Sequence, residues 1–457
     1  MCQGDVSGDT VLDRFPARCV RGYVPVTQRL WETFRVLRVV DEMKKSAWLL
    51  VILVCLNILA GCASLAEEDA REVGGGEEAA EEGTLEVGYE ELWADSDGMK
   101  AIVISDLHYT EYKEVDPALV PGIAVAEEFT DALVAEVIDC KPDVLIMTGD
   151  NTNSGYSGDV AGLAEKLQKV RDNGISIVMT TGNHDFDMMG AEEFEEAYFG
   201  LVEAADRDPN SLSYTAVVKD VVFLAMDDNA VEPGGAGEFS ALTMKWIEEM
   251  LDKYRDRKVI FLSHHNVLYG YGEEDSSSHL IQNPELADLL RQGGVKLAMT
   301  GHMHFQYVTE EDGLWEVLSG MPFSGAHLIG RLVVEGGRAV YFARPIDLAR
   351  YGEAVKVKLD ELDSESEEYM EEVFAEVLER EGVRGGRKKK VLKLIARFMR
   401  FYGEGSLAEH AQEVREDPSC ELMIKALWNY NYGPWMKEML ENTKWSGREL
   451  EVVWEGP

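Results

Sequence analysis

Five short runs of mostly apolar, β-branched-rich residues recur along this chain: 101–104, 144–147, 175–179, 259–262 and 295–299. Each is followed within a few residues by a fragment made of Asp, Asn, His and Gly. The fragments are Asp106-Leu107-His108, Gly149-Asp150, Gly182-Asn183-His184-Asp185, His264-His265, and Gly301-His302-Met303-His304. Runs of this length and composition form strands buried on both faces. Their polar continuations therefore gather at the carboxyl ends of sheet strands, where open α/β sheets bind ligands. Helical patterns separate the runs. Over 127–140, Phe129, Leu133, Val134, Val137 and Ile138 share one face, and over 160–172 so do Leu163, Leu167 and Val170. These features predict a layered α/β fold.

The fragments are also chemically biased. They hold five of the nine histidines even when His265 is left out, and Asp, Asn and His bind divalent metals through oxygen and imidazole nitrogen. Their order, D-x-H, G-D, G-N-H-D, a lone His and G-H-x-H, resembles the calcineurin-like metallophosphoesterases over roughly residues 99–345, with no ligand position missing. The resemblance implies a four-layered αββα sandwich. Segments 315–318, 331–334 and 339–342, with a hairpin turn at 335–338, are expected to be strands of its second sheet.

The same resemblance implies a dinuclear centre. Asp106, His108 and His304 would hold one metal and Asn183, His264 and His302 the other, with Asp150 bridging them. A carboxylate suits the bridge because it offers an oxygen to each of two cations about 3.5–4 Å apart. Mixed oxygen and nitrogen ligation fits Mn, Fe, Co or Zn better than Mg or Ca. A bridging hydroxide would attack phosphorus in line, and His184 would stabilise charge or protonate the leaving group. Asp185 is expected to orient His184. His265 is read as the non-ligand neighbour of His264, His279 as a solvated loop residue, and the Asp227-Asp228 pair after Val221–Met226 as loop chemistry. His327 is left open between a structural and a substrate-facing role.

Charge narrows the partners. With 44 basic against 85 acidic residues the net charge is −41, which disfavours duplex nucleic acid and anionic lipid over most of the surface. A small phosphate ester remains compatible, because divalent cations dominate the potential inside such a site.

The amino terminus reads as targeting sequence. Lys44 and Lys45 precede the apolar stretch 47–58 and then Leu59-Ala60-Gly61-Cys62, which resembles the lipobox of bacterial lipoproteins. The stretch is shorter than the roughly 20 residues of a spanning helix, so a cleaved signal at 43–61 is expected rather than a retained anchor. Lipidated Cys62 would hold the protein on the extracytoplasmic face of the cell membrane. Met43 stands directly before the lysines, and residues 1–42 are expected to stem from a misassigned start. Segment 62–98 is rich in Glu, Gly and Ala and predicts a disordered acidic tether, followed by a catalytic domain over 99–346.

From 347 to 457 the pattern changes to helices, expected at 367–381, 388–401, 406–415, 421–428 and 434–442. This accessory domain is similar to that of some bacterial class III cyclic-nucleotide phosphodiesterases. The stripe Val391, Leu394, Ile395 and Phe398 is expected to pack in the bundle, as are Trp428, Tyr430, Tyr432 and Trp435. Cys140 reads as a small buried residue, and no Cys140–Cys420 disulfide is assigned.

Three functions remain open from sequence. The first is a phosphodiesterase acting on a small ester such as a cyclic nucleotide or glycerophosphodiester. The others are a phosphomonoesterase or lipid-headgroup phosphohydrolase with the same metal core, and a non-catalytic binding lipoprotein on that scaffold. Oligomeric state is not legible.

Overall fold

The computed structural model describes residues 88–111, 121–268, 279–323, 325–442 and 444–454, all within one compact unit. The lipobox, residues 1–42 and the loop over 270–278 lie outside the described residues. Among the described residues no helix is long and apolar enough to cross a membrane.

The strands in chain order are β1 (Met99–Ile104), β2 (Val144–Thr148), β3 (Ser176–Thr180), β4 (Asp206–Arg207), β5 (Tyr214–Val218), β6 (Val221–Ala225), β7 (Lys258–Leu262), β8 (Leu297–Thr300), β9 (Tyr307–Glu311), β10 (Leu314–Leu318), β11 (Leu328–Glu335), β12 (Arg338–Pro345) and β13 (Glu449–Val453). They form a six-stranded sheet, β13-β12-β11-β1-β2-β3, and a seven-stranded sheet, β4-β5-β6-β7-β8-β10-β9. β1, β2 and β3 run parallel, as do β6, β7, β8 and β10.

Side-chain alternation shows how the layers stack. Val221, Phe223 and Ala225 of β6 enter the core between the sheets, while Val222 and Leu224 face a second core with Trp246, Ile247 and Leu251 of the helix Ala241–Lys253. Because both faces are covered, the run is apolar throughout rather than alternating. The helices Ala126–Cys140 and Ser157–Asp172 cover the first sheet, and the expected αββα architecture is present.

Three expectations are corrected. β10 does join the seven-stranded sheet, but β11 pairs with β1 in the six-stranded one and β12 lies on the far side of β11. Residues 88–95, expected to belong to the acidic tether, are helical. Tyr89 stacks on Phe342 at 5.1 Å, Trp93 meets the same ring edge-on at 6.4 Å, and Glu90 pairs with Arg331. Finally, the chain is not helical to its end: β13 returns to the edge of the first sheet beside β12.

Between these points lie the helices Glu353–Arg380, Gly386–Gly403, Leu407–Glu416, Cys420–Leu427 and Tyr432–Asn442. They share a core of their own, into which Val391, Leu394, Ile395 and Phe398 are buried. Tyr432 is buried and Trp435 packs against that core, whereas Trp428 is exposed. Cys140 and Cys420 are free thiols.

Candidate metal centre

The carboxyl ends of the parallel strands in both sheets open onto one place. Asp106 and His108 follow β1, Asp150 follows β2, Asn183 and His184 follow β3, His264 follows β7, and His302 and His304 follow β8. Gly301 lets two of these ends meet: a Cβ there would collide with Ser105 Oγ and stand 2.6 Å from Asp106 Oδ2. Five of the candidate ligands have strained backbones. Asp106, His108, Asp150, His302 and His304 have φ of 52°, 41°, 47°, 73° and 61°, the left-handed region that Asp and His enter more readily than most, at roughly 1–3 kcal/mol each.

Two clusters result. In the first, His304 Nε2 lies 3.2 Å from Asp106 Oδ1 and 3.2 Å from His108 Nε2. Asp106, His108, Asp150 and His304 can each offer an atom within 4.8 Å of the others. In the second, Asn183 Oδ1 lies 3.0 Å from His264 Nε2 and 3.1 Å from His302 Nδ1, and those two nitrogens are 3.2 Å apart. Asp150 Oδ2 joins the clusters, 3.6 Å from His108 Nε2 and 3.3 Å from His264 Nε2.

The donor set fits divalent cations. Asp150 Oδ2 is buried without a hydrogen-bond partner among the described residues, an arrangement that is costly unless a positive charge sits beside it. His264 Nδ1 donates to Thr148 O at 2.9 Å, which fixes the tautomer and turns the Nε2 lone pair toward Asn183 and Asp150. Burial opposes charge on His264, but Asp150 outweighs it and raises the imidazole to about 10. Burial likewise disfavours the Asp150 carboxylate, and the surrounding His264, His184 and His108 override it and hold Asp150 well below its ordinary value. Asp150 thus favours positive charge beside it, which bound cations would supply in place of protons.

Supporting groups differ from expectation in two places. Asp185 does not orient His184. It is fully buried and accepts from Asn151 N and Nδ2, Thr152 N and Oγ1, and Gly182 N, tying the loops after β2 and β3 together. Asp187 instead holds His184 Nδ1 at 3.1 Å. Of the Asp227-Asp228 pair, Asp227 is loop chemistry as expected, accepting from Asn229 N and Leu212 N, but Asp228 is not: its Oδ2 accepts from the backbone N–H of both His264 (3.1 Å) and His265 (2.7 Å). The pair ends a strand run just as the ligands do, and that was the signal for it.

Of the remaining histidines, His265 has Asp228 as its ion-pair neighbour. It is fully buried against His302, with ring centroids 4.3 Å apart, and its Nδ1 stands 3.4 Å from Asp228 Oδ1. His279 is buried rather than solvated. His327 packs near Phe129, 3.9 Å from Asp363, and burial lowers it to about 4.

Asp228→Ala would leave two buried N–H groups unsatisfied and free the His264 loop. Losing such a support is expected to weaken metal uptake roughly 10–100-fold, confined to one of the two cations. Calorimetric metal titration checks this, and unchanged uptake of both would exclude the supporting role.

Residues 99–306 match the family model described as calcineurin-like phosphoesterase. A probable glycerophosphodiester phosphodiesterase GpdQ of Arcobacter nitrofigilis is 31% identical over 167 residues, 36% of this chain and 57% of that protein. A DNA double-strand break repair protein of Nanoarchaeum equitans is 24% identical over 226 residues, 46% of this chain and 58% of the relative. A probable cyclic nucleotide phosphodiesterase of Rhodococcus erythropolis is 26% identical over 203 residues, 44% of this chain and 64% of the relative. The chain therefore spans less than two thirds of the length of each of these relatives.

Proposed function

We infer that this chain, whose residues 99–306 match the calcineurin-like phosphoesterase model, is a metal-dependent phosphoesterase that cleaves small phosphate diesters. The observation that carries the reading is Asp150 Oδ2, buried and facing one imidazole nitrogen from each of two ligand clusters. Two relatives named as phosphodiesterases support a diester over a monoester. The Asp, Asn and His donors suit Mn, Fe, Co or Zn. When bound, two such cations supply Lewis acidity at phosphorus and lower the pKa of water in the site.

The chain's own groups do the rest. Asp106, His108 and His304 would hold one cation, Asn183, His264 and His302 the other, and Asp150 would serve both. His184 differs from these ligands in being 42% exposed, so it can reach a bound ester. With Nδ1 taken by Asp187, Nε2 is the nitrogen left for substrate. Burial works against its charge, but Asp150 and then Asp187 raise it to about 9, while nearby cations pull the other way. Its protonated form can donate to the departing alkoxide.

Purified protein loaded with Mn or Zn is expected to hydrolyse bis-p-nitrophenyl phosphate with a higher kcat/KM than the mono-ester. The reverse order would favour a phosphomonoesterase. No turnover of either, with both cations bound, would favour a binding protein.

We further propose export as a lipoprotein, on the strength of Leu59-Ala60-Gly61-Cys62 after a basic and apolar stretch. Two or more acyl chains on Cys62 would anchor it firmly, at about 0.8 kcal/mol per buried methylene. Cys62→Ala is expected to lose fatty-acid labelling, and a chain started at Met43 to keep it. Equal labelling of the Cys62 variant would overturn the proposal.

A further inference from the structure

The residues that follow His304, itself at a φ of 61°, are held mostly by groups outside the two sheets. The next residue, Phe305, is buried in the core of the C-terminal helices, its ring 4.5 Å from that of Tyr402 on the helix Gly386–Gly403. Tyr402 in turn meets Trp435 edge-on at 4.9 Å. Gln306 is then tied three ways. Its N–H donates to Gly403 O at 3.4 Å, its Nε2 donates to Gly447 O at 2.8 Å, and its Oε1 accepts from Tyr341 Oη at 3.4 Å. Gly447 N donates to Gly405 O at 2.8 Å, so three backbone stretches cross here. A Cβ on Gly447 would stand 2.8 Å from both Gln306 O and Gly405 O, too close for any residue but glycine without a shift of backbone.

A non-glycine residue persists at positive φ only where its surroundings over-determine it. On the sheet side, His304 O accepts from Met321 N at 3.4 Å. On the other side stand Phe305 and Gln306, both set by the helices and by the chain leading into β13. We propose that the C-terminal helices, through Tyr402 and the Gly447 crossing, act as a clamp that positions His304 and so sets the affinity of the Asp106–His108–His304 cluster for its cation. Tyr402 is then a positioning residue. The inference rests on the metal centre read above and gives the helical segment a role that no motif in it announces.

The test is Mn²⁺ titration of the full-length protein, followed by calorimetry and electron paramagnetic resonance. Tyr402→Ala and Gly447→Ala are each expected to keep one wild-type affinity and weaken the other roughly tenfold or more. The signal of a coupled Mn pair would give way to that of an isolated ion. Tyr402→Phe, which keeps the ring, and Val414→Ala, which trims the same core on another helix, are expected to bind as wild type. Gly447→Ala leaves every core side chain in place and covers the case in which Tyr402→Ala does not fold. Wild-type affinity for both ions in Tyr402→Ala and Gly447→Ala, or equal weakening in Val414→Ala, would overturn the clamp alone. A wild type that takes up no Mn would overturn the metal centre, and the clamp with it.

Discussion

Asp150→Asn is expected to abolish turnover and to strip the protein of most of its bound divalent metal. The carboxylate carries the negative charge shared by the two ligand clusters, with Oδ2 facing His108 and His264 and Oδ1 accepting from His184 N at 2.8 Å. An amide of the same shape keeps at most one acceptor oxygen and none of the charge, so it no longer offsets two cations. The loss should exceed the roughly 10²-fold that removal of a supporting group costs. Paired metal analysis and kinetics check it. A variant holding two cations and near-normal activity would refute the bridging role.

His184→Ala is expected to behave differently, although its neighbour Asn183 is read as a ligand. Both cations should stay bound while kcat falls roughly 10²-fold or more, the scale for losing a positioned acid. The deficit should shrink for esters with good leaving groups, which need little protonation to depart. The pH profile carries the sign. An acid is active when protonated, so wild-type kcat should fall as pH rises through the His184 pKa, between its ordinary 6.5 and about 9. That alkaline limb should be missing from the variant. A lost cation, or a deficit independent of leaving-group pKa, would remove His184 from the acid role.

What could be read in the sequence follows the range of the interactions involved. The parallel strands and the residues at their ends were legible because burial on both faces leaves a local signature, an apolar run, and the ligands follow it within a few positions. Strand partnership is not local. Arg331 is placed beside β1, opposite Ile102, by pairing across most of residues 99–345, Tyr341 follows it through the β11–β12 hairpin opposite Leu332, and nothing in the segment names the partner of β11. β13 did leave a trace. Leu450 and Val452 are buried while Glu451 and Val453 face out, a period of two that is short and follows a long helical stretch. In the helix over 88–95, Tyr89, Leu92 and Trp93 recur at helical spacing and pack on the first sheet, but the surrounding acidic residues read as more of the tether. At the centre itself the ligand types were legible and their supports were not, because Asp228 and Asp187 act through the backbone and ring positions of other residues.

The central claim is that this fold gathers one dinuclear metal centre and that the chemistry depends on it. Full-length protein should be loaded with Mn or Zn, its metal content measured, and activity on bis-p-nitrophenyl phosphate followed through exhaustive chelation and readdition. About two cations per chain, activity lost with them and restored on their return, is the predicted result. Activity that survives complete removal of metal, or a chain that binds none, would contradict it.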